Sequence, residues 1–307
     1  MRFESRDLVT DGGLLLLSVI WGVNFTVVKG VLDILDPLAL NALRFPMASL
    51  VLAAVLARSD SSVRPRSADI LPLVALAVLG NVVYQMCFVL GIDATLAGNA
   101  SLLLATSPVW VVLLSAAAGH ERPTAPVAAG IAATVLGMGL VVVGRGDVVS
   151  LGGETLVGDG LMILAALLWA AYTVGARDLV HRYGSIRITA WTLWIGTPFL
   201  VVAGVPSLSS VAWGDVPPWA WIGVVYSGVF SVGVAYLLWY RGVRRLGNSR
   251  TAVYSNLVPV SAILTAWIWL GEVPRPLQLV GAAVILAGLT GTRAARAPQS
   301  PEPSSRR

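Results

Sequence analysis

The residue with the clearest chemical potential is an arginine inside an apolar stretch, Arg44 in PLALNALRFPMASLVLAAVL. At a helical rise of about 1.5 Å per residue, Arg44 lies roughly 10 Å from Pro37 along the helix. An ionisable group at that depth in an apolar helix is by default functional or paired. A guanidinium suits a carboxylate, so the expected partner is Asp33, Asp36, Asp93 or a substrate carboxylate. Snorkelling of the side chain to the interface is the structural alternative.

Amide and aromatic side chains form a second group of candidates. Asn81, Tyr84 and Gln85 fall at i, i+3 and i+4, on one face of a helix. Asn and Gln within a membrane span usually have a binding or structural role. Small polar residues, by contrast, often pack helices together, and aromatic residues often lie at the level of the lipid headgroups. We therefore expect a substrate site lined by Trp21, Asn24, Arg44, Asn81, Tyr84, Gln85, Thr106, Trp169, Tyr172, Tyr236, Trp239, Tyr254 and Asn256.

Two further apolar segments each contain a proline, Pro108 and Pro259. Proline removes one backbone hydrogen bond and clashes with the preceding turn, which frees carbonyl groups for side chains, water or a ligand. A bent helix at the same place in both segments predicts a gate or a shelf for a ligand.

Several classes of chemistry lack the residues that they need. The chain has one cysteine, Cys87, and two histidines, His120 and His181, which are expected in loops, so we predict no thiolate zinc site and no histidine-rich metal site in the membrane. The sequence has no HExxH motif and no GxxxxGK[ST] loop, which argues against a membrane enzyme and an ATP-driven pump. No Asp or Glu is expected deep in a span, so a coupling proton has no obvious carboxylate carrier.

Membrane-spanning helices must position these candidates. Of the 307 residues, 56% are hydrophobic and only 12% are charged, and the mean hydropathy is +0.79. Windows of about 19 residues with one charge or none can cross about 30 Å of hydrocarbon, where unbroken apolar runs must be helical. We predict ten such helices, at residues 11–32, 37–57, 69–91, 96–118, 124–144, 157–179, 187–205, 218–241, 249–270 and 275–292.

The two halves of the chain repeat each other. At a constant offset of 151, residues 80–124 align without a gap on 231–275, with Gly91 opposite Gly242. The first apolar segments align at an offset of 148, which pairs Trp21 with Trp169. Such internal repetition is typical of transporter folds.

We therefore predict an all-α integral membrane protein with ten transmembrane helices in two inverted five-helix repeats. Because five is odd, the second repeat enters the membrane from the opposite side, and a binding site is expected near the midplane between the repeats. The predicted units are 8–144, 157–292 and a disordered cytoplasmic tail at 293–307.

The arginines lie at segment ends, so the net charge of +5 indicates membrane orientation rather than nucleic-acid binding. With the N-terminus inside, the outer loops carry only Arg145 and Arg275. By the positive-inside rule, both termini are expected to be cytoplasmic.

The motifs resemble the EamA family of the drug/metabolite transporter superfamily. The resemblance covers nearly the whole chain and is carried by WGVNFTVVKGVL, DPLALNALRF, AGNASLLLATSPV and NLVPVSAILTAWIWLGEVP. It implies ten helices in two inverted repeats, no cofactor, and secondary transport, often export, of amino acids or other small metabolites. The family's WGxNF region matches residues 21–25, its ALRF matches 42–45 and its GE loop matches 271–272, whereas the first repeat has His120 in place of that glycine.

The leading hypothesis is a multi-pass secondary transporter of the cytoplasmic (inner) membrane that moves an amino acid or related amphipathic solute by alternating access, in the direction of export. The alternatives are a multidrug, nucleoside or other metabolite carrier of the same fold, and a non-transporting membrane scaffold. A membrane enzyme is the least supported class. The expected partners are a small-molecule substrate and membrane lipid, without nucleic acid. A coupling proton, and the choice between monomer and homodimer, stay open.

Overall fold

The computed structural model describes residues 5–58, 63–119, 124–144 and 154–296. Within these ranges the chain is helical apart from short connections and contains no strand. The helices are α1 Ser5–Leu32, α2 Pro37–Leu56, α3 Ser67–Ala77, α4 Tyr84–Ala94, α5 Ala97–Leu104, α6 Ser107–Ala117, α7 Ala125–Val143, α8 Glu154–Gly175, α9 Arg177–Tyr183, α10 Ser185–Ser210, α11 Pro218–Val225, α12 Ala235–Tyr254, α13 Leu257–Leu270 and α14 Pro276–Arg296.

Some of these helices join end to end into longer membrane spans. A π-helical segment, Val78–Val83, connects α3 to α4, and a second, Tyr226–Val234, connects α11 to α12. Among the described residues, eight helical stretches are long and apolar enough to cross a membrane, and Leu257–Leu270 and Pro276–Gly291 are shorter apolar helices. The predicted all-helical membrane fold is therefore confirmed. Part of the predicted tail is helical, since α14 continues to Arg296, and residues 297–307 lie outside the described ranges.

The connection predicted between residues 241 and 249 is helical rather than an open loop. Residues Ala235–Tyr254 form a single helical element, α12. However, Cγ2 of Thr251 lies 3.0 Å from the position that a Cβ on Gly242 would occupy. Nine residues of straight helix would separate these positions by about 13.5 Å. The chain therefore reverses direction within α12.

The packing of α7 on α14 shows how the two repeats are related. A Cβ on Gly137 would stand 2.8 Å from the carbonyl oxygen of Gly281, and a Cβ on Gly288 would stand 2.7 Å from that of Gly130. The sequence offset of 151 pairs Gly130 with Gly281 and Gly137 with Gly288. Each contact is thus the image of the other when the repeats are exchanged, as a two-fold axis between them requires.

A second pair of contacts obeys the same exchange. Gly91 of α4 packs against Met162 of α8, and Gly242 of α12 packs against Leu14 of α1. The offset of 151 relates the two glycines, and the offset of 148 relates Leu14 to Met162. The third span of each repeat therefore packs on the first span of the other repeat.

Polar contacts between the repeats occur at the face where α1 begins and α14 ends, which we call the terminal face. The Asp69 carboxylate accepts hydrogen bonds from Arg182 at 2.7 Å and from the Tyr183 hydroxyl at 2.5 Å. The Tyr183 oxygen also accepts from the backbone N–H of Arg66 at 3.1 Å. Hydrogen bonding to Asp69 raises the pKa of the Arg182 guanidinium above its ordinary value, so this arginine stays charged. These contacts join α3 to the α9–α10 corner.

The opposite face has its own contact between the repeats. The Glu272 carboxylate accepts from the backbone N–H groups of Ala97 at 3.1 Å and Gly98 at 3.3 Å, the first residues of α5. An acidic side chain is favourable at a helix N-terminus because of the unpaired N–H groups and the helix dipole. Nearby, Lys29 donates to the backbone carbonyl of Asp93 at 2.5 Å.

We predict that Gly137→Ala destabilises the protein whereas Gly139→Ala does not. The new methyl group at 137 would meet backbone atoms of Gly281 and Ile285 at 2.8 Å, and backbone cannot yield as a side chain can. At 139 nothing lies within 4 Å. Overpacking costs roughly 1–3 kcal/mol, so the melting temperature of the detergent-purified Gly137→Ala protein should fall by several degrees. Equal melting temperatures for the two variants would contradict this packing.

Candidate functional site

The site is organised around the buried guanidinium of Arg44, whose residue is only 1% exposed. Its Nε donates to Asn41 Oδ1 at 3.0 Å, one turn earlier in α2. Nη1 donates to Ser227 Oγ at 3.0 Å, and Nη2 donates to Gln85 Oε1 at 2.5 Å. The Asn41 amide in turn donates to the Gln85 carbonyl at 3.2 Å. Arg44 therefore joins α2, α4 and the π-helical segment Tyr226–Val234.

None of the hydrogen-bond acceptors of Arg44 in the described ranges is a carboxylate. Asp33, Asp36 and Asp93, its possible acidic partners from the sequence, are all exposed. The burial of Arg44 also rules out snorkelling to the interface. A guanidinium has five N–H donors, of which three are used here, so two remain for a ligand. The positive charge is thus held by neutral groups, and a bound anion would neutralise it.

Two phenylalanine rings border the guanidinium. Its Cζ lies 5.3 Å from the ring centroid of Phe45 and 5.5 Å from that of Phe88. Both distances are within the range of cation–π attraction, which strengthens when the cation is desolvated. The rings therefore help to hold the charge away from water.

Aromatic residues of one repeat pack against aromatic residues of the other. Trp21 of α1 lies 6.2 Å from Tyr236 and 5.7 Å from Trp239, measured between ring centroids. Trp169 of α8, the counterpart of Trp21, lies 5.3 Å from Tyr84. The pairing is reciprocal, since each tryptophan packs on the third span of the other repeat. Each of the two aromatic clusters thus spans the interface between the repeats.

The π-helical segments bring these clusters close to the helix backbone. The indole N–H of Trp21 donates to the carbonyl of Ser231 at 2.9 Å, and the ring of Tyr172 lies against Gly80. Ser231 and Gly80 correspond at the offset of 151, one in each π-helical segment. A π turn interrupts regular α-helical bonding and is frequent at functional sites. Here the π turns place the Ser231 carbonyl opposite Trp21, and the side-chain-free surface of Gly80 opposite Tyr172.

The structure gathers nine of the residues expected to bind substrate into this central region. They are Trp21, Asn24, Arg44, Tyr84, Gln85, Trp169, Tyr172, Tyr236 and Trp239. Eight of them are linked by the contacts above, and Asn24 belongs to the region because it lies between Trp21 and Phe25 on α1.

The other four contact different parts of the protein. The Cβ of Asn81 packs against Gly196 of α10, and Thr106 donates to the carbonyl of Leu103 in its own span. The Tyr254 hydroxyl donates to Asp11 at 2.8 Å near the terminal face, and the Asn256 amide donates to Thr290 of α14 at 3.4 Å. Their sequence positions indicated a face of a helix but not the neighbour that this face meets.

Each of the two prolines singled out in the sequence follows a break in its span. The fourth span divides at Ala105 and Thr106, between α5 and α6, and Pro108 is the second residue of α6. The ninth divides at Ser255 and Asn256, and Pro259 is the third residue of α13. Because proline lacks an N–H and clashes with the preceding turn, the regular helix stops just before it.

Sequence reasoning missed two of the three acceptors of Arg44. Asn41 had a recognisable signal, because it precedes Arg44 by three residues and so shares its helix face. Ser227 had none beyond its place in the glycine- and serine-containing run SGVFSVGV, since its contact depends on how the second repeat packs on the first.

A buried carboxylate was also missed. Asp159 lies within α8, is 1% exposed and accepts a hydrogen bond from the Thr95 hydroxyl at 2.5 Å. Asp159 is the sixth residue of α8 and falls within the predicted span 157–179, so it is a buried acidic side chain near the beginning of that helix. The expectation that no Asp or Glu lies deep in a span stays a prediction.

A separate small cleft lies between α5, α13 and α14 near the opposite face. In it, Gln278 donates to Asn99 Oδ1 at 2.8 Å, and the Arg275 N–H donates to Gln278 Oε1 at 2.8 Å. These hydrogen bonds connect the two repeats, and none of them involves a residue of the Arg44 cluster.

Paired helical repeats, exchanged aromatic contacts and a buried charge between them define a multi-pass membrane protein of the transporter class. The sequence profile of the EamA-like transporter family matches residues 10–143 and again residues 156–293. The chain belongs to this family, and the resemblance noted from its motifs is confirmed.

Two relatives of the chain are named as transporters of amino-acid compounds. The chain is 32% identical to a probable terminal-alkyne amino-acid exporter of Streptantibioticus cattleyicolor, over 90% of each chain. It is 28% identical to a probable amino-acid metabolite efflux pump of Salmonella typhimurium, over 91% of this chain and 93% of the relative. A protein of known crystal structure shares the fold, with a TM-score of 0.64 at 21% identity over 92% of this chain and 94% of the other.

We predict that Gln85→Leu lowers the free energy of unfolding by about 2 kcal/mol, because it leaves the buried Arg44 Nη2 without its acceptor. In the double variant Arg44→Met/Gln85→Leu, apolar groups replace both partners, so the loss should be smaller than in Gln85→Leu alone. Denaturant unfolding of the purified single and double variants measures the coupling. Additive losses would show that the two side chains do not interact energetically.

Proposed function

We propose that the protein is a secondary transporter that exports a small carboxylate-bearing metabolite of the amino-acid type. The observation that carries this proposal is the Arg44 guanidinium, buried among neutral acceptors with two N–H donors unused. Desolvating a charge costs several kcal/mol, and neutral hydrogen bonds offset this only in part. A substrate carboxylate would supply the missing negative charge through a bidentate contact.

The names of the relatives support the same class of substrate. Two relatives that align with at least 90% of this chain are named as an amino-acid exporter and an amino-acid metabolite efflux pump. An amino-acid substrate would also fit the site of this chain. Arg44 suits the carboxylate of such a substrate, and the aromatic clusters suit its apolar side chain.

Alternating access follows from two repeat units, 8–144 and 157–292, that move against each other. Polar contacts join the units at both faces, through Asp69 and Arg182 at the terminal face and through Glu272 at the other. Opening either side requires the contacts on that side to separate while those on the other side persist. The breaks ahead of Pro108 and Pro259 provide places where the fourth and ninth spans can bend.

A carrier of uncharged aromatic drugs or nucleosides is the second candidate, favoured by the aromatic surface of Trp21, Tyr236 and Trp239. Such a substrate would leave the Arg44 charge without a counter-ion throughout the cycle. A carboxylate substrate therefore explains more of the site.

We expect Arg44→Ala to reduce transport of amino acids into inside-out vesicles at least tenfold, because the carboxylate loses its charged partner. Arg44→Lys should recover only part of the activity, since an ammonium lacks the planar fork of donors. The matched control is Arg58→Ala, an exposed arginine just beyond the end of α2. Normal transport by a folded Arg44→Ala protein would refute the anchoring role.

The arginine distribution leads us to propose that the terminal face is cytoplasmic and that the protein lies in the cytoplasmic membrane. Reporter fusions test this directly. A fluorescent protein that folds only in the cytoplasm should be bright at both the N-terminus and the C-terminus. An alkaline phosphatase inserted after Asp36 should be active outside. Reporters that place the termini on different faces would refute the ten-span inverted arrangement.

A further inference from the structure

The side chain of Asn24 stands out on α1 because its buried polar atom has no partner. Asn24 is 5% exposed, and its Oδ1 makes no hydrogen bond with any described residue. The other polar side chains of this stretch are bonded: Ser18 to the Tyr254 carbonyl, Trp21 to the Ser231 carbonyl and Thr26 to Thr265. An unsatisfied buried acceptor costs about 1–3 kcal/mol, so its retention calls for an explanation.

The residues on either side of Asn24 on its helix face connect it to the Arg44 cluster. Its neighbour Trp21 donates to Ser231, four residues after Ser227, which accepts from Arg44. Its other neighbour, Phe25, packs at 5.6 Å on Phe88, the ring beside the Arg44 guanidinium. Phe25 thus leads to Arg44 through Phe88, and Trp21 leads to it through Ser231 and Ser227 of the same π-helical segment.

The central region therefore combines two kinds of unused hydrogen-bonding capacity. Arg44 keeps two free N–H donors, and Asn24 keeps a free carbonyl acceptor. A carboxylate needs donors, whereas an ammonium group needs acceptors and is also attracted to aromatic faces. The ring of Trp21 provides such a face one turn before Asn24 in α1, and Tyr236 packs against that ring.

Charge balance alone would favour a different substrate. A simple carboxylic acid, as its anion, would neutralise Arg44 completely, whereas a zwitterion adds a second positive charge to the site. The anion, however, would leave the Asn24 acceptor unsatisfied. A buried acceptor that is unpaired in the free protein gains a hydrogen bond only from a substrate that carries a donor. The site therefore binds such a substrate more tightly than an analogue without the donor.

We propose that Asn24 Oδ1 accepts a hydrogen bond from the α-ammonium group of the substrate, so that the site selects α-amino acids over the corresponding carboxylic acids. This inference rests on the proposed function, because it requires Arg44 to hold the carboxylate of the same molecule. It assigns the two ends of the amino acid to two helices, the carboxylate to α2 and the ammonium to α1.

The test compares two ligands that differ only in the ammonium group, L-phenylalanine and 3-phenylpropionate. In proteoliposomes, the wild-type protein should bind or transport L-phenylalanine with about tenfold preference. Asn24→Leu, which is close in volume but has no acceptor, should lose this preference by weakening L-phenylalanine about tenfold while leaving 3-phenylpropionate unchanged or improved.

The matched control is Asn99→Leu. Asn99 is another buried amide with one unsatisfied atom, its Nδ2, but it bonds to Gln278 in the cleft near the opposite face. This variant should keep the wild-type preference. If Asn99→Leu and Asn24→Leu change the preference equally, the effect is one of general destabilisation and the assignment of Asn24 is wrong.

The outcomes separate this inference from the proposed function. Equal affinity of the wild-type protein for the two ligands would overturn the role of Asn24 while leaving a carboxylate carrier in place, and this measurement needs no variant that could fail to fold. Binding of neither ligand would overturn both proposals. Arg44→Ala should weaken both ligands together, whereas Asn24→Leu should weaken only the amino acid.

Discussion

The arrangement of the central spans depends on the buried guanidinium of Arg44. Its three acceptors, Asn41, Gln85 and Ser227, belong to α2, α4 and the π-helical segment before α12, so one side chain ties the first repeat to the second. The acceptors are neutral, and the cost of removing the charge from water is therefore only partly offset. The surrounding helices must exclude lipid from this group and still leave two of its donors to a ligand.

Close approach between helix backbones allows the surrounding helices to enclose Arg44. A Cβ on Gly228 would stand 2.6 Å from the carbonyl oxygen of Arg44, so only glycine allows the π-helical segment to lie so near α2. The same principle holds α7 against α14 through Gly137 and Gly281. Without a hydrophobic driving force between helices in lipid, small residues and interhelical hydrogen bonds decide which helices associate. The two regions differ in function, because α7 and α14 pack without buried charge whereas the centre contains one.

Much of the fold is readable from the chain because its signals are local. A run of about 20 apolar residues in lipid must be helical unless it belongs to a closed barrel. The aligned positions Gly91 and Gly242 predict equivalent surroundings in the two repeats. The helical connection within α12 and the burial of Asp159 were not predicted. Both depend on contacts in the folded chain, such as Gly242 with Thr251 and Thr95 with Asp159, that leave no trace in hydropathy.

For the site, residue type and helical period selected Arg44, Trp21 and Gln85 as important and placed them on inward faces. Periodicity specifies a direction around one helix, but a hydrogen bond also requires the height, tilt and partner of a second helix. Tyr254 and Asn256 have the same kind of sequence signal, and tertiary packing directs them to Asp11 and Thr290 instead. The sequence by itself thus determined the helices, their repetition and the presence of a charge among them. Only the tertiary structure decided which neutral groups bond to that charge, because those groups come from segments far apart in the chain.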